Sequence, residues 1–199
     1  MEAMRRLDSV KGEGGDVALC VDVPHIISQL SSHRKKAAIF GGARTSKEVY
    51  DDTVQIGRIL TEKNYHLKTG GYGGVMEAAP KGAAGAGGHS TGYTCSIFPS
   101  TVANKYINET VVTGSLYERL SHMIEDTDVF VIQLGGIGTL AELFLTMDIL
   151  RKKKEGAPKI ILVGSAWKEL VEASKVMLTH GETDGLIFID DSTGLNQHI

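Results

Sequence analysis

The stretch Val129–Leu145 constrains the fold of this chain more than any other part of the sequence. Its first six residues, Val129–Leu134, form a mostly apolar run that is typical of a strand buried on both faces. A short turn with three glycines follows, and beyond it apolar residues recur with helical spacing at Leu140, Leu143 and Phe144. A buried strand that enters a helix through a tight turn is a unit of an α/β fold, which predicts a parallel sheet.

The turn inside this stretch is predicted to bind a phosphate group. Glycines let a backbone approach a ligand closely, and the first N–H groups of the following helix point toward that ligand with the helix dipole behind them. The spacing is neither the G-x-G-x-x-G of dinucleotide sites nor a P-loop with its lysine, which disfavours NAD binding and ATP hydrolysis. The predicted phosphate-binding residues are Gly135, Gly136, Ile137, Gly138 and Thr139.

Two further glycine turns follow predicted strands. The strand Lys36–Phe40 is followed by two glycines, and the strand Tyr65–Lys68 by a longer turn that leads into a helix at Val75. Because ligands of parallel sheets bind beyond the carboxyl ends of the strands, we expect all three turns to share one pocket. Glu77, in the first turn of that helix, is either a partner of the helix dipole or an acid of the pocket. The further substrate-binding residues predicted on this basis are Gly41, Gly42, Gly71, Gly73, Gly74 and Glu77.

Strands and helices alternate along the rest of the chain. Thr45 and Glu48 have the spacing of a capping box and predict a helix start, whereas Ile107–Val112 is ambiguous. The order predicts a doubly wound, mostly parallel, Rossmann-like sheet with helices on both faces. Residues 1–16 are polar and lack periodicity, so we expect a flexible extension before a single domain over residues 17–199. The other predicted elements are Ser90–Phe98, Ser115–Glu125, Ile160–Val163, Trp167–Leu178 and Leu186–Ile189.

Composition excludes several classes of function. The formal net charge of −3 disfavours nucleic acid as a partner, because neutralising phosphates requires an excess of basic residues. Apolar runs are too short to span a membrane, and the first residues lack the apolar core of a secretory signal. The two cysteines, Cys20 and Cys95, and the histidines lack metal-ligand spacing, so no metal site is predicted. A reducing, cytoplasmic location is expected.

Two charged residues near the predicted phosphate site each allow two interpretations. Glu142 lies three residues after Thr139, so the pair could form a capping box, an interpretation that local spacing slightly favours. The alternative is a carboxylate that faces the bound sugar and stabilises developing positive charge. Arg119, on the preceding predicted helix, is by itself best explained as a surface arginine paired with Glu118 or Asp126.

These separate features together resemble a known family. The residues Leu134–Glu142 read LGGIGTLAE, and Arg119 lies on the helix before them. This resembles the LONELY GUY (LOG) family of phosphoribohydrolases, also labelled lysine decarboxylase-like, whose signature is a helical arginine followed by P-G-G-x-G-T-x-x-E. The turns at Ile39–Gly42 and Thr69–Ala79 extend the resemblance, which covers Ala37 to about Leu162.

The resemblance implies a hydrolase that cleaves the N-glycosidic bond of a nucleoside 5′-monophosphate, giving free base and ribose 5-phosphate without a cofactor. Arg119 and Glu142 would be the catalytic pair, and the turn Gly135–Thr139 would hold the phosphate. In plants and some microbes the substrate is a cytokinin riboside 5′-monophosphate. Members are usually homodimers, and the helices around Met123 and Phe144 are the expected interface here.

Four departures from the family pattern bear on the substrate. Leu134 replaces the proline before the glycines, and Ala141 replaces a second glutamate. The following helix reads T-M-D-I-L over Thr146–Leu150 instead of the T-W-x-Q-L of plant members, and Glu77 stands where plant members have glycine. The phosphate and catalytic positions are retained while their surroundings differ. The reaction class is therefore implied more strongly than cytokinin specificity, and AMP or another purine nucleotide is the expected alternative substrate. The alternative function is that of a binding protein with the same fold, such as a molybdenum cofactor carrier.

Overall fold

A seven-stranded, fully parallel sheet forms the core of the part of the chain that the structure describes. In the computed structural model of this chain, the described residues are 34–152, 156–178 and 181–199, and the predicted extension over residues 1–16 lies outside them. The strand order is β4-β3-β2-β1-β5-β6-β7. The strands are β1 (Lys36–Phe40), β2 (His66–Thr69), β3 (Ser90–Cys95), β4 (Glu109–Thr113), β5 (Val129–Ile132), β6 (Lys159–Val163) and β7 (Leu186–Ile189).

Helices cover both faces of the sheet, which confirms the predicted doubly wound fold. One apolar layer joins α1, α2 and a C-terminal 3₁₀ helix to the sheet, and the other joins α3, α4 and α5 to its opposite face. No helix within the described ranges has the length and apolarity needed to cross a bilayer. The bounds are α1 (Lys47–Glu62), α2 (Val75–Gly85), α3 (Leu116–Ile124), α4 (Ile137–Leu150), α5 (Ala166–Ser174) and the 3₁₀ helix Ser192–Gln197.

The central strands are buried on both faces, as their apolar sequences predict. Successive residues of β1 alternate between the two layers, so that Ile39 packs with α1 and α2 while Phe40 packs with α4. Phe40 stacks on Phe130 of β5 with ring centroids 5.9 Å apart. Burial of these side chains removes apolar surface from water at about 25 cal/mol per Å² and holds β1 against β5.

The strand order reverses beside β1, and this fixes where a ligand can bind. The chain builds outward from β1 to β4 and then returns to place β5 on the other side of β1. Ala37 pairs with Val129 and Phe40 with Ile132, so β1 and β5 end level with each other. Ligands of open α/β sheets bind at such a switch point, beyond the carboxyl ends of the strands.

One predicted helix start is wrong. The N-cap of α1 is Ser46, whose hydroxyl accepts a hydrogen bond from the N–H of Val49 at 3.3 Å. The capping box predicted from Thr45 and Glu48 therefore does not form. Thr and Ser are both favourable N-cap residues, and a shift of one residue along the chain supplies the same hydrogen bond to the helix.

Candidate active site at the carboxyl ends of the strands

The three glycine turns converge, as the sequence predicted. The N–H of Gly42 donates to the Leu134 carbonyl at 3.1 Å, which joins the turns after β1 and β5. The N–H of Val75 donates to the Gly42 carbonyl at 3.0 Å, which brings in the turn after β2. A Cβ atom on Gly74 would lie 2.3 Å from the same carbonyl oxygen, so only glycine permits this approach.

A cavity of about 570 Å³ opens beside these turns. It combines the turns after β1 and β5 with α4, Arg119 of α3 and the segment that follows β3. A cavity of about 410 Å³ lies at the opposite edge of the sheet, where ligands of α/β sheets do not bind. The residues lining the larger cavity are Gly41, Gly42, Ala43, Tyr72, Met76, Phe98, Pro99, Ser100, Arg119, Gly136, Ile137, Gly138, Thr139 and Glu142.

The N-terminus of α4 faces this cavity without an acidic residue in its first turn. A Cβ atom added at Gly136 or Gly138 would meet no atom of the described chain within 4 Å, so both glycines border open space. The first N–H groups of a helix lack intrahelical acceptors, and together with the dipole they attract an anion. Gly135 has a different role, because its Cβ would lie 2.1 Å from Thr139 Oγ1.

The capping-box interpretation of Glu142 is wrong. The N-cap of α4 is Gly136, and Thr139 lies inside the helix with its side chain packed over Gly135. Thr139 therefore cannot cap the helix, and Glu142 is one turn too far along to bond to the N-cap residue. The Glu142 carboxylate instead lines the cavity.

Glu142 forms a buried ion pair with Arg119. Arg119 Nη1 lies 3.6 Å from Glu142 Oε1, and the two side chains are 9% and 15% exposed. The interpretation of Arg119 as a surface residue paired with Glu118 or Asp126 is therefore wrong. The direction of a side chain on a short helix depends on the residues that pack against the helix. The spacing of residues along the sequence does not reveal those contacts.

Three neighbours fix the Arg119 guanidinium. Its Nε donates to the Tyr93 carbonyl at 2.7 Å, Nη2 lies 3.7 Å from Met76 Sδ, and the guanidinium carbon lies 5.8 Å from the centre of the Tyr72 ring. Gly70 leaves the space for it, because a Cβ there would lie 1.9 Å from Arg119 Nη2. The charged head is thus held in one orientation at the cavity wall.

Burial raises the pKa of Glu142 to about 7, against the opposing effect of the Arg119 guanidinium, which lowers it. Desolvation disfavours the charged carboxylate, and a single cation 3.6 Å away only partly compensates. A carboxyl group with a pKa near neutrality can both accept and release a proton at physiological pH.

The model of the SLOG cluster4 family matches residues 34–185 of the chain. The chain belongs to this family. Membership confirms the LOG-like character inferred from the motifs, because the matched range contains all three glycine turns and both members of the ion pair.

Individual relatives of this chain are similar at low identity. An uncharacterised protein of Archaeoglobus fulgidus is 26% identical over 128 residues, covering 63% of this chain and 82% of that protein. A probable cytokinin riboside 5′-monophosphate phosphoribohydrolase of Oryza sativa, LOGL5, is 29% identical over 117 residues, covering 57% of this chain and 48% of that protein. The enzyme LOG5 of Arabidopsis thaliana is 30% identical, covering 57% and 52%. The chain thus spans about half the length of these plant relatives.

Solved structures with the same fold include binding proteins. The molybdenum cofactor binding protein of Rippkaea orientalis superposes with a TM-score of 0.68 at 20% identity, covering 83% of this chain and 94% of that one. The molybdenum cofactor carrier protein of Chlamydomonas reinhardtii gives 0.65 at 23% identity, covering 82% and 94%. At these identities the likeness shows the shared Rossmann-like fold.

Some predicted site residues do not line the cavity. Among the described residues, those lining the cavity do not include Gly71, Gly73, Gly74, Gly135 or Glu77. Glu77 accepts a hydrogen bond of 3.5 Å from the Tyr50 hydroxyl, between α2 and α1. The four glycines shape the turns, and their neighbours in sequence reach the cavity instead.

Several lining residues had no sequence signal of their own. Phe98, Pro99 and Ser100 follow β3, and Met76 lies on the first turn of α2. Tyr72 is different, because its place in the second glycine turn allows either a plain turn role or a place in the pocket lining. It lines the cavity, and its hydroxyl accepts a hydrogen bond of 2.9 Å from the Cys95 N–H. That bond anchors the aromatic ring to the end of β3, a contact between distant segments that spacing cannot predict.

Proposed function

We propose that this protein hydrolyses the N-glycosidic bond of a nucleoside 5′-monophosphate. The observation that carries the proposal is the buried pair Arg119–Glu142 in the same cavity as the open N-terminus of α4. The N-terminus of α4 is suited to the phosphate, and the ion pair is suited to the sugar. The plant relatives named as phosphoribohydrolases support the same reaction, although the chain spans only about half their length.

The 5′-phosphate binds at the first turn of α4. The space beside Gly136 and Gly138 admits phosphate oxygens close to the backbone, and the N–H groups there point toward them. Thr139, the next residue, lines the same part of the cavity. Anchoring the phosphate orients the sugar, so binding energy remote from the reacting bond is used to position it.

Glu142 acts on the sugar and on water. Cleavage of the bond between C1′ and the base nitrogen leaves its electron pair on the base and develops positive charge on the ribose ring. The Glu142 carboxylate offsets this charge and accepts a proton from the attacking water, whose oxygen bonds to C1′. The proton then passes to the departing base, so the products are neutral base and ribose 5-phosphate.

Arg119 keeps part of the Glu142 population ionised inside the buried site. Its guanidinium lowers the pKa of Glu142 against the effect of burial, and it lies where it can also contact the substrate. Because three neighbours hold it, the cation is preorganised and needs little rearrangement during the reaction.

The remaining wall of the cavity suits a planar base. Tyr72 and Phe98 pack edge to face with ring centroids 5.4 Å apart, and Met76 and Pro99 add apolar surface. Aromatic and apolar surfaces bind purine rings by stacking, which is tolerant of base identity. We propose AMP or a similar purine nucleotide as substrate, with cytokinin riboside monophosphates as the other members of the test panel.

The experiment is a screen of nucleoside 5′-monophosphates for release of free base, with the unphosphorylated nucleosides as controls. We expect release from at least one purine monophosphate and at least 100-fold less from its nucleoside. Glu142→Ala and Arg119→Ala should each abolish release while retaining the fold. Equal cleavage of nucleosides and nucleotides would contradict the phosphate site. A purified protein that carries a pterin chromophore and releases no base would instead establish a carrier.

We also propose that the protein is an isologous homodimer through the outer face of α4. The helix is apolar around most of its circumference, with Phe144 half-buried and Ala141 exposed, as expected of a helix covered on both sides. The helix around Met123 is the other part of the expected interface; the Met123 side chain itself is 1% exposed and packs in the core, whereas Tyr117 of the same helix is 78% exposed. A dimeric mass that becomes monomeric in Ala141→Arg is the expected result, and a monomeric wild type contradicts it.

A further inference from the structure

Asn104 lies in the middle of the segment 96–108, which connects β3 to β4 and passes over the second glycine turn. Its main-chain N–H donates to the Gly71 carbonyl at 2.8 Å, so the segment is joined to the turn. The Asn104 side chain then extends the contact. Its Oδ1 accepts a hydrogen bond of 3.1 Å from the N–H of Tyr106 and orients the amide.

The side-chain amide of Asn104 serves three carbonyl groups. Nδ2 lies 3.1 Å from the Gly71 oxygen, 2.9 Å from the Tyr72 oxygen and 3.1 Å from the Met76 oxygen. An amide has two N–H groups, so the three acceptors share them. A single side chain therefore donates hydrogen bonds to carbonyl groups of both the glycine turn and the first turn of α2.

Pro80 explains why the Met76 carbonyl needs this donor. Pro80 lies inside α2, four residues after Met76, and has no N–H to bond to that carbonyl. The oxygen instead accepts from Asn104 Nδ2 and, at 3.2 Å, from Thr69 Oγ1. The helix interruption thus creates an acceptor that ties α2 to the segment before β4.

The two residues held by these contacts, Tyr72 and Met76, both pack against Arg119. Met76 Sδ lies 3.7 Å from Nη2, and the Tyr72 ring faces the guanidinium at 5.8 Å. We propose that Asn104 is a positioning residue for the Arg119–Glu142 pair, acting through the backbone of Tyr72 and Met76. The effect on turnover rests on the proposed hydrolase function, whereas the effect on the orientation of Arg119 does not.

The kinetic test compares Asn104→Ala and Asn104→Gln with the control Asn108→Ala. Asn108 is in the same segment, but its side chain accepts from the N–H of Ser90 at 2.8 Å, at the other end of β3. Asn104→Ala should displace the Arg119–Glu142 pair but not the proposed phosphate site at the first turn of α4. We therefore expect kcat to fall about 10- to 100-fold while KM changes about threefold or less. Asn104→Gln, which keeps the donors on a longer stem, should be intermediate, and Asn108→Ala should resemble the wild type.

A second readout is independent of turnover. The ¹⁵N-labelled Nε–H of Arg119, assigned by its loss in Arg119→Gln, donates to the Tyr93 carbonyl and should exchange slowly with solvent. We expect at least tenfold faster exchange of this N–H in Asn104→Ala and an intermediate rate in Asn104→Gln. If the alanine variant does not fold, Asn104→Gln alone provides the test. Exchange and kcat equal to those of Asn108→Ala would overturn the inference. If the wild type cleaves no nucleotide but exchange still responds, only the proposed hydrolase function fails.

Discussion

The N-termini of α2 and α4 are alike in sequence and differ in structure. Each strand before them is followed by a Gly-Gly-x-Gly pattern and each helix has glycine as its N-cap, but α2 begins after its pattern whereas α4 begins inside its own. At α2 the N-cap Gly74 has a φ of 63° and approaches the Gly42 carbonyl too closely for any other residue. At α4 the N-cap Gly136 has a φ of −93° and faces open space.

The first turns of the two helices also differ in charge. Glu77 lies in the first turn of α2, where it meets the positive end of the dipole within the protein. The first turn of α4 has no acid, and Glu142 follows one turn later at the cavity wall. The same glycine pattern therefore permits close packing at α2 and leaves open space at α4. Tertiary contacts, rather than the pattern itself, determine which of these two environments a glycine turn has.

The largest expected effect contrasts the acids of the two helices. Glu142→Gln keeps the shape of the side chain but removes the carboxylate, so kcat for base release should fall about 10²- to 10⁴-fold. Glu77→Gln, whose side chain bonds to Tyr50 outside the cavity lining, should change kcat less than about threefold. Steady-state kinetics with the best nucleotide of the panel measures both. Similar losses in the two variants would mean that α2 also supplies an acid to the site.

The next contrast concerns stability. Gly74→Ala forces both a left-handed backbone and a contact of 2.3 Å with the Gly42 carbonyl, so it should lower the free energy of unfolding by about 2–4 kcal/mol. Gly87→Ala is the matched control, because Gly87 has a φ of 73° but no atom of the described chain within 4 Å of an added Cβ. It should cost only the backbone strain, about 1 kcal/mol. Urea denaturation measures both, and equal losses would contradict the packed role of Gly74.

The pH dependence of base release should report on the acid of α4. Because burial raises the pKa of Glu142 to about 7 in the protein without ligand and the carboxylate is the active form, kcat/KM should rise about tenfold per pH unit below 7 and level off above it. The folded state holds this proton more tightly than the unfolded chain. Stability should therefore decline as pH rises from about 4.5 to about 7 and then become flat.

Glu142→Gln provides the control for this linkage. The variant has no proton to lose, so its free energy of unfolding should lack the decline that the wild type shows over the same range. Thermal unfolding at a series of pH values makes the comparison. An unchanged slope in the variant would assign the decline to another group.

How far the sequence predicts this molecule depends on the range of the interactions involved. The alternation of buried strands and helices predicted the parallel sheet and the convergence of its glycine turns, because those follow from local apolar patterns and topology. The position of Glu142 was not predictable in this way. Whether Thr139 caps α4 depends on its packing against Gly135, and Arg119 is oriented by a carbonyl of β3. Asn104 gave no signal because its acceptors lie about 30 residues away in sequence.

The smallest expected effect comes from two glycine-to-alanine variants that should change helix stability equally but nucleotide affinity differently. Gly138→Ala in α4 and Gly85→Ala at the end of α2 both add a methyl group into open space, and each should stabilise its helix by about 0.5–1 kcal/mol. Only Gly138 borders the cavity, so its methyl group should obstruct the phosphate and weaken nucleotide binding about tenfold. Calorimetric titration with nucleotide and with the unphosphorylated nucleoside distinguishes the two variants. Nucleotide affinity that is unchanged in Gly138→Ala would remove the first turn of α4 from the phosphate site, even if the ion pair proved catalytic.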